Sequence, residues 1–148
     1  MKVWVRNRQR RIRIRIREVT ATATRILQSL GCLKAELSLL LVNDTQIQRL
    51  NRRYRGIDRP TDVLAFSMQE GENPPTASQM LGDVVISVGT AKRWAKSQGR
   101  PLELEVTVLL IHGILHLLGY HHEGSKEAAR LVERKTRAVL EEIGRTET

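Results

Sequence analysis

TDVLAFSMQEGENPPTASQMLGDVVIS, residues 61–87, decides the fold. Its two ends, Thr61 to Met68 and Leu81 to Ser87, are short and rich in β-branched and apolar residues, as strands are. Glu70 to Gln79 between them is rich in Gly, Pro, Ser and Asn, which marks a loop, and it is expected to be the least ordered stretch. Two strands joined this closely suggest a hairpin-like pair. A chain that also alternates strands with helices elsewhere then has a mixed sheet, and its class is α+β.

Working outward toward the N-terminus, ELSLLLV at Glu36 to Val42 is short and apolar enough for a buried strand. Asn43 to Thr45 look like a cap for a helix running to about Arg53, with Ile47 and Leu50 at helical spacing and Gly56 and Pro60 marking the turn beyond. Thr20 to Leu30 suits a helix ended by Gly31. RIRIRIR, Arg11 to Arg17, has a period of two that sets Ile12, Ile14 and Ile16 against four arginines, so a strand with one cationic face is expected. Toward the C-terminus, helices are expected from Thr90 to Gln98, from Leu102 to Leu118 behind Pro101 and before Gly119, and from about Lys126 to Ile143, closed by Gly144.

A length of 148 residues fits one domain, residues 1–148. No apolar run approaches the roughly 20 residues needed to cross a bilayer, and the basic start lacks a signal-peptide apolar core, so a cytoplasmic protein with no membrane partner is expected. Cys32 is the only cysteine, which excludes an intrachain disulfide and a cysteine-held metal. Charge is unevenly placed: residues 1–60 hold 15 Lys+Arg against 4 Asp+Glu, and residues 61–148 hold 10 against 12. A basic field of this kind attracts polyanions, RNA among them, although it also serves simple solubility.

All four histidines lie in HGILHLLGYHH, residues 112–122. His112 and His116 are four apart on the expected long helix, so both rings project from one face and can reach one ion at the roughly 2.0 Å Zn–N distance. Gly119 can end the helix in the left-handed conformation and let the chain bring His122 back as a third ligand. Three ligands leave a fourth position for water, the arrangement of catalytic zinc. An isolated HxxxH pair is as well explained by histidines with no ligand role. The full HxxxHxxGxxH spacing instead reproduces the three histidines and the glycine of the metzincin zinc signature. Metzincins place a glutamate after the first histidine as general base; Gly113 stands here, which disfavours peptidase chemistry.

HGILHLLGYHH also resembles the HGxLHLxGYDH signature of the bacterial YbeY family of endoribonucleases and ribosomal RNA maturation factors. LNRRYRGIDRPTDVLAF at Leu50 to Phe66 is similar to the family's LNxxYRGxDxPTDVLSF, and LGDVVIS to its LGDIxIS strand. The resemblance implies one zinc ion per chain, a mixed sheet of about four strands, and a single-strand-preferring endoribonuclease. It further implies action in small-subunit ribosomal RNA maturation and ribosome quality control, with the ribosome or its proteins as partners and no particular affinity for DNA. Two residues depart from the pattern. His121 stands where the family has Asp, either handling protons behind the ligands or as an exposed bystander, and Ala65 replaces a serine.

Arg55 matches the family's functional arginine and suits a phosphate clamp, because guanidinium offers a planar, permanently charged fork. Its alternative is an ion pair with Asp58 or Asp62. Arg55 and His116 are the residues expected to carry the reaction, and Arg59 is a further substrate-binding candidate. Asp83 and Glu123 are possible partners of the ligands, with capping or solvation as alternatives. The arginines of RIRIRIR form either a ridge that tracks an RNA backbone or a solvated edge protected by charge. Few aromatic residues are present, so RNA recognition is expected to rest on backbone charge and shape. A metallopeptidase-like hydrolase and a non-catalytic RNA-binding assembly factor are the competing functions.

Overall fold

A computed structural model describes residues 2–68, 80–121 and 124–146. The elements in chain order are β1 (Lys2–Asn7), α1 (Ile16–Ser29), β2 (Glu36–Val42), α2 (Asp44–Arg55), β3 (Val63–Ser67), β4 (Met80–Ser87), α3 (Val88–Gln98), α4 (Leu102–Leu117) and α5 (Lys126–Thr146). The strands form one sheet in the order β1-β2-β4-β3. β1, β2 and β4 are parallel, and β3 runs antiparallel to β4. The sheet is therefore mixed and the class α+β, as the residues around the Gly/Pro-rich stretch imply. That stretch lies outside the described residues.

Period-two alternation assigns each strand residue to a side. Leu37, Leu39 and Leu41 of β2 and Val84 and Ile86 of β4 are fully buried and share a cluster with residues of α1, α4 and α5. The intervening Val42, Leu64 and Val85 form a second cluster with Ile47 of α2. Burial on both faces explains why β2 and β4 read as continuous apolar runs. Asn43 caps α2 with a reciprocal capping box, its side chain accepting from the Gln46 N–H at 2.8 Å while Gln46 accepts from the Asn43 N–H at 2.9 Å.

Two glycines set how closely the layers approach. Gly82, at φ +142°, follows a bulge in β4, where Glu36 pairs with Met80 and Leu37 with Gly82; a Cβ on it would lie 2.1 Å from the Phe66 carbonyl oxygen. Gly113 faces the sheet, and a Cβ there would lie 2.6 Å from Cγ1 of Val84. Both sites admit no side chain without displacement, which lets α4 lie close over β4.

The N-terminal segment differs from its expected form. Arg11 to Arg17 is not a strand: β1 occupies the place beside β2, and after Asn7 the chain turns away before α1 begins at Ile16. The alternation nevertheless persists, because Ile12, Ile14 and Ile16 pack against the core while the arginines stay exposed. Gln9 holds the turn. Its nearly buried amide donates to the Ile12 carbonyl at 2.7 Å and accepts from the Ile12 N–H at 2.9 Å, and it also donates to Oδ1 of Asn7 at 3.0 Å. Gly144 does not end the last helix. It lies within α5, where buried Ile143 anchors the final turn against a glycine penalty of roughly 1 kcal/mol.

Candidate metal centre

His112 and His116 lie on α4, half-buried, among the nearly or fully buried Ile111, Gly113, Ile114, Leu115 and Leu117. Their spacing of four puts both rings on one face, at the border of core and solvent. His112 also lines a cavity of about 380 Å3 between α4 and α5, together with Val132, Thr136 and Leu140. A larger cavity of about 880 Å3 lies away from the histidines, between Arg13, Val19, Leu110 and Ile143.

The helix ends as its glycine requires. Gly119 takes φ +97°, its N–H donates to the His116 carbonyl at 3.0 Å, and the Tyr120 N–H donates to the Leu115 carbonyl at 2.9 Å. This is a Schellman ending, and it reverses the chain toward the ring-bearing face. His121 accordingly returns to His116: their Nδ1 atoms are 3.3 Å apart and the rings meet edge to face at 4.4 Å. Which ring donates and which accepts depends on the tautomer. His122 and Glu123 lie outside the described residues. Among the described residues no three metal-binding side chains converge. The described donors suit a zinc ion in type and placement: two imidazoles on one helical turn, with Nδ1 of His116 engaged by a neighbouring ring as ligating histidines commonly are.

Arg55 is the last residue of α2 and exposed; it belongs to the helix that covers the sheet face opposite α4. Asp58 accepts from Nε2 of Gln48 at 3.1 Å, and Asp62 accepts from the Val63 N–H at 2.8 Å. Arg59 is exposed on the following loop, whose course is set by Asn51. That asparagine is 2% exposed and donates through Nδ2 to the Arg59 carbonyl at 2.9 Å. Sequence reading missed Asn51, although a polar residue on the buried face of an amphipathic helix is the signal that finds it. It also passed over Tyr54, which is 58% exposed, packs edge-on to Phe66 at 5.2 Å and has the Arg53 guanidinium 5.3 Å from its ring centre. Asp83 is partly exposed on β4, paired in register with Phe66.

A separate polar cluster ties α2 to the start of α3. Asp44 accepts from the Ser87 hydroxyl at 2.7 Å, the Thr90 hydroxyl at 2.6 Å and the Arg93 guanidinium at 2.7 Å. Burial alone would raise its pKa, but these donors and the charge of Arg93 outweigh it and hold the carboxyl at about 2. The cluster is structural, joining the ends of β2 and β4.

The family model described as Endoribonuclease YbeY matches residues 4–144. A Geobacter metallireducens protein named Endoribonuclease YbeY is 47% identical over 148 residues, covering 97% of this chain and 99% of its own length. A Syntrophotalea carbinolica protein of the same name is 44% identical over 142 residues, 95% of each chain. A Thermotoga maritima protein solved in solution shares the fold, with a TM-score of 0.59 at 25% identity over 97% of this chain and 93% of that one. The match spans the YRG segment, the β4 motif and the histidine helix alike, and this chain belongs to the endoribonuclease YbeY family.

Proposed function

We propose that this chain is a zinc-dependent endoribonuclease that prefers single-stranded RNA and acts in the cytoplasm on small-subunit ribosomal RNA, in maturation and ribosome quality control. The observation that carries the reading is the placement of His112 and His116 on one half-buried turn of α4, followed by a glycine ending that reverses the chain. Two full-length relatives named as endoribonucleases support the substrate class.

His112, His116 and His122 would hold one zinc ion. Zinc in such a site supplies Lewis acidity toward a phosphoryl oxygen and makes water a nucleophile at neutral pH. Arg55 binds a phosphate oxygen pair through its fork, and Arg59 adds charge along the same loop. His121 would orient His116: were His116 to hold the metal, the contact between the two Nδ1 atoms would fix its ring. The position taken by Gly113 supplies no base and has room for none, because it faces Val84, and a metallopeptidase reading loses its proton acceptor there. The ribosome is the expected partner.

Metal analysis paired with RNA cleavage tests this reading. Purified protein should carry near-stoichiometric zinc and cut single-stranded RNA, and His116→Ala should lose both. Cleavage that persists in the metal-free protein would reject it.

A further inference from the structure

Residues 6–17 hold seven arginines and no acid, and every one of these arginines is exposed. We propose that the turn between β1 and α1 is a second RNA-docking surface, which grips the phosphodiester backbone far from the histidines. This rests on the RNA reading above.

Three observations separate this turn from an ordinary solvated face. Edge protection does not account for it: the edge strand is β1, already guarded by Lys2 and Arg6, whereas residues 8–15 form no strand and have no ladder to protect. The turn is also held in place. Gln9 closes it through both amide atoms, the Arg8 N–H donates to the Leu41 carbonyl at 2.8 Å, and Ile12 and Ile14 anchor it to the core. A fixed cationic surface loses little entropy when it binds, unlike a mobile tail. Finally, among the described residues, Arg10, Arg11 and Arg13 make no ion pair, and Arg15 makes one, at 3.2 Å to exposed Glu18. Unneutralised like charges crowded onto one short turn repel one another. A polyanion with evenly spaced charges relieves that repulsion and releases its own counterions.

Location makes the surface distinct from the metal centre. The turn follows the C-terminal end of β1, at one edge of the sheet. α4 packs over β4 with Gly113 at Val84 and Leu117 at Gly82, which puts His116 beside the opposite end of β4. Two strand spacings and most of a strand length separate the two, roughly 15–20 Å. Only an RNA long enough to span that gap engages both.

The test uses full-length wild type and the Arg10→Gln/Arg11→Gln/Arg13→Gln variant, with fluorescein-labelled single-stranded RNAs of about three and about thirty nucleotides. Affinity is read by anisotropy across a salt series, cleavage is followed in parallel, and circular dichroism confirms the fold. For the long RNA the variant should bind about tenfold more weakly, with a salt slope shallower by about 2, from three lost phosphate contacts. Binding and cleavage of the short RNA should be unchanged. Wild-type affinity and slope on the long RNA would overturn the proposal, and so would an equal loss on both lengths, which would put these arginines in the cleavage groove. Length-dependent binding without any cleavage by wild type would leave the docking surface standing and reject the endoribonuclease reading instead.

Discussion

The C-terminal end of α4 and the turn after β1 each carry a high-contrast pattern, HGILHLLG in one and RIRIRIR in the other. In α4 the helical period, the glycine and the observed structure agree, because every signal acts within one element: residues four apart share a face whatever surrounds the helix. Alternation in the N-terminal segment is equally clear, yet no strand forms there. A period of two reports which side chains face the core; a strand also needs a neighbour with unpaired backbone, and β1 has taken that place beside β2. Local patterns are thus safe guides where the element closes its own hydrogen bonds and poor guides where a partner must supply them.

The comparison breaks first at the histidines, where the largest effect is expected. His116→Ala should cut RNA cleavage by at least about a hundredfold and leave zinc far below stoichiometric. His121→Asn should keep zinc but bind it roughly tenfold more weakly, as loss of a partner behind a ligand does. Equal metal affinity in wild type and His121→Asn, by competition with a chelating dye, would make His121 a bystander.

Next in size is Gly82→Ala, which drives a methyl group into the Phe66 carbonyl at a positive φ. It should cost at least about 3 kcal/mol in urea unfolding. The two turns themselves then compare directly. Gly119→Ala should cost about 1–2 kcal/mol for the left-handed conformation, and Gln9→Ala about 1 kcal/mol for the amide bonds that close the N-terminal turn. If Gln9→Ala leaves amide exchange at Ile12 unchanged, the turn is held by its isoleucines alone.

The smallest effect concerns Asp44. Its carboxyl is held at about 2 against an ordinary 3.8, so its contribution is fully present above about pH 4 and is lost as pH falls through 4 toward 2. Asp44→Asn should lower stability at neutral pH by about 1 kcal/mol, after discounting for solvent screening of a partly exposed group. It should also flatten the acid limb of the stability curve. An unchanged acid limb would assign that pH dependence to other carboxylates.

Much of the molecule is legible before any coordinates. Asn43, Gly31, Gly99 and Gly119 mark helix ends because capping chemistry is local, and β2, β3 and β4 stand out as short apolar runs between turn residues. The histidine pair is legible for the same reason. What the sequence hides depends on distant chain: the bulge at Gly82 exists because of the register with Leu37, and Asn51 matters because the Arg59 loop folds back over it. Gly113 reads as a missing base, whereas its close approach to Val84 is visible only once α4 lies on β4. His121 is similar. Its contact with His116 depends on the angle at which the chain leaves Gly119.

Strand order carries a consequence for how the chain assembles. β3 and β4 are antiparallel neighbours across one connection, whereas β1 reaches β2 only through the whole of α1. Because loop-closure entropy grows with the chain enclosed and parallel pairs need a crossover, the β3–β4 ladder is the cheapest long-range contact to form. α4, with His112 and His116, docks on that early ladder, while the arginine turn hangs from a strand with a single neighbour. Emergence from the ribosome presents these parts in the reverse order. The cationic segment is synthesised before β2, β3 and β4, and β1, the strand it hangs from, has no partner until residues 36–42 follow it out.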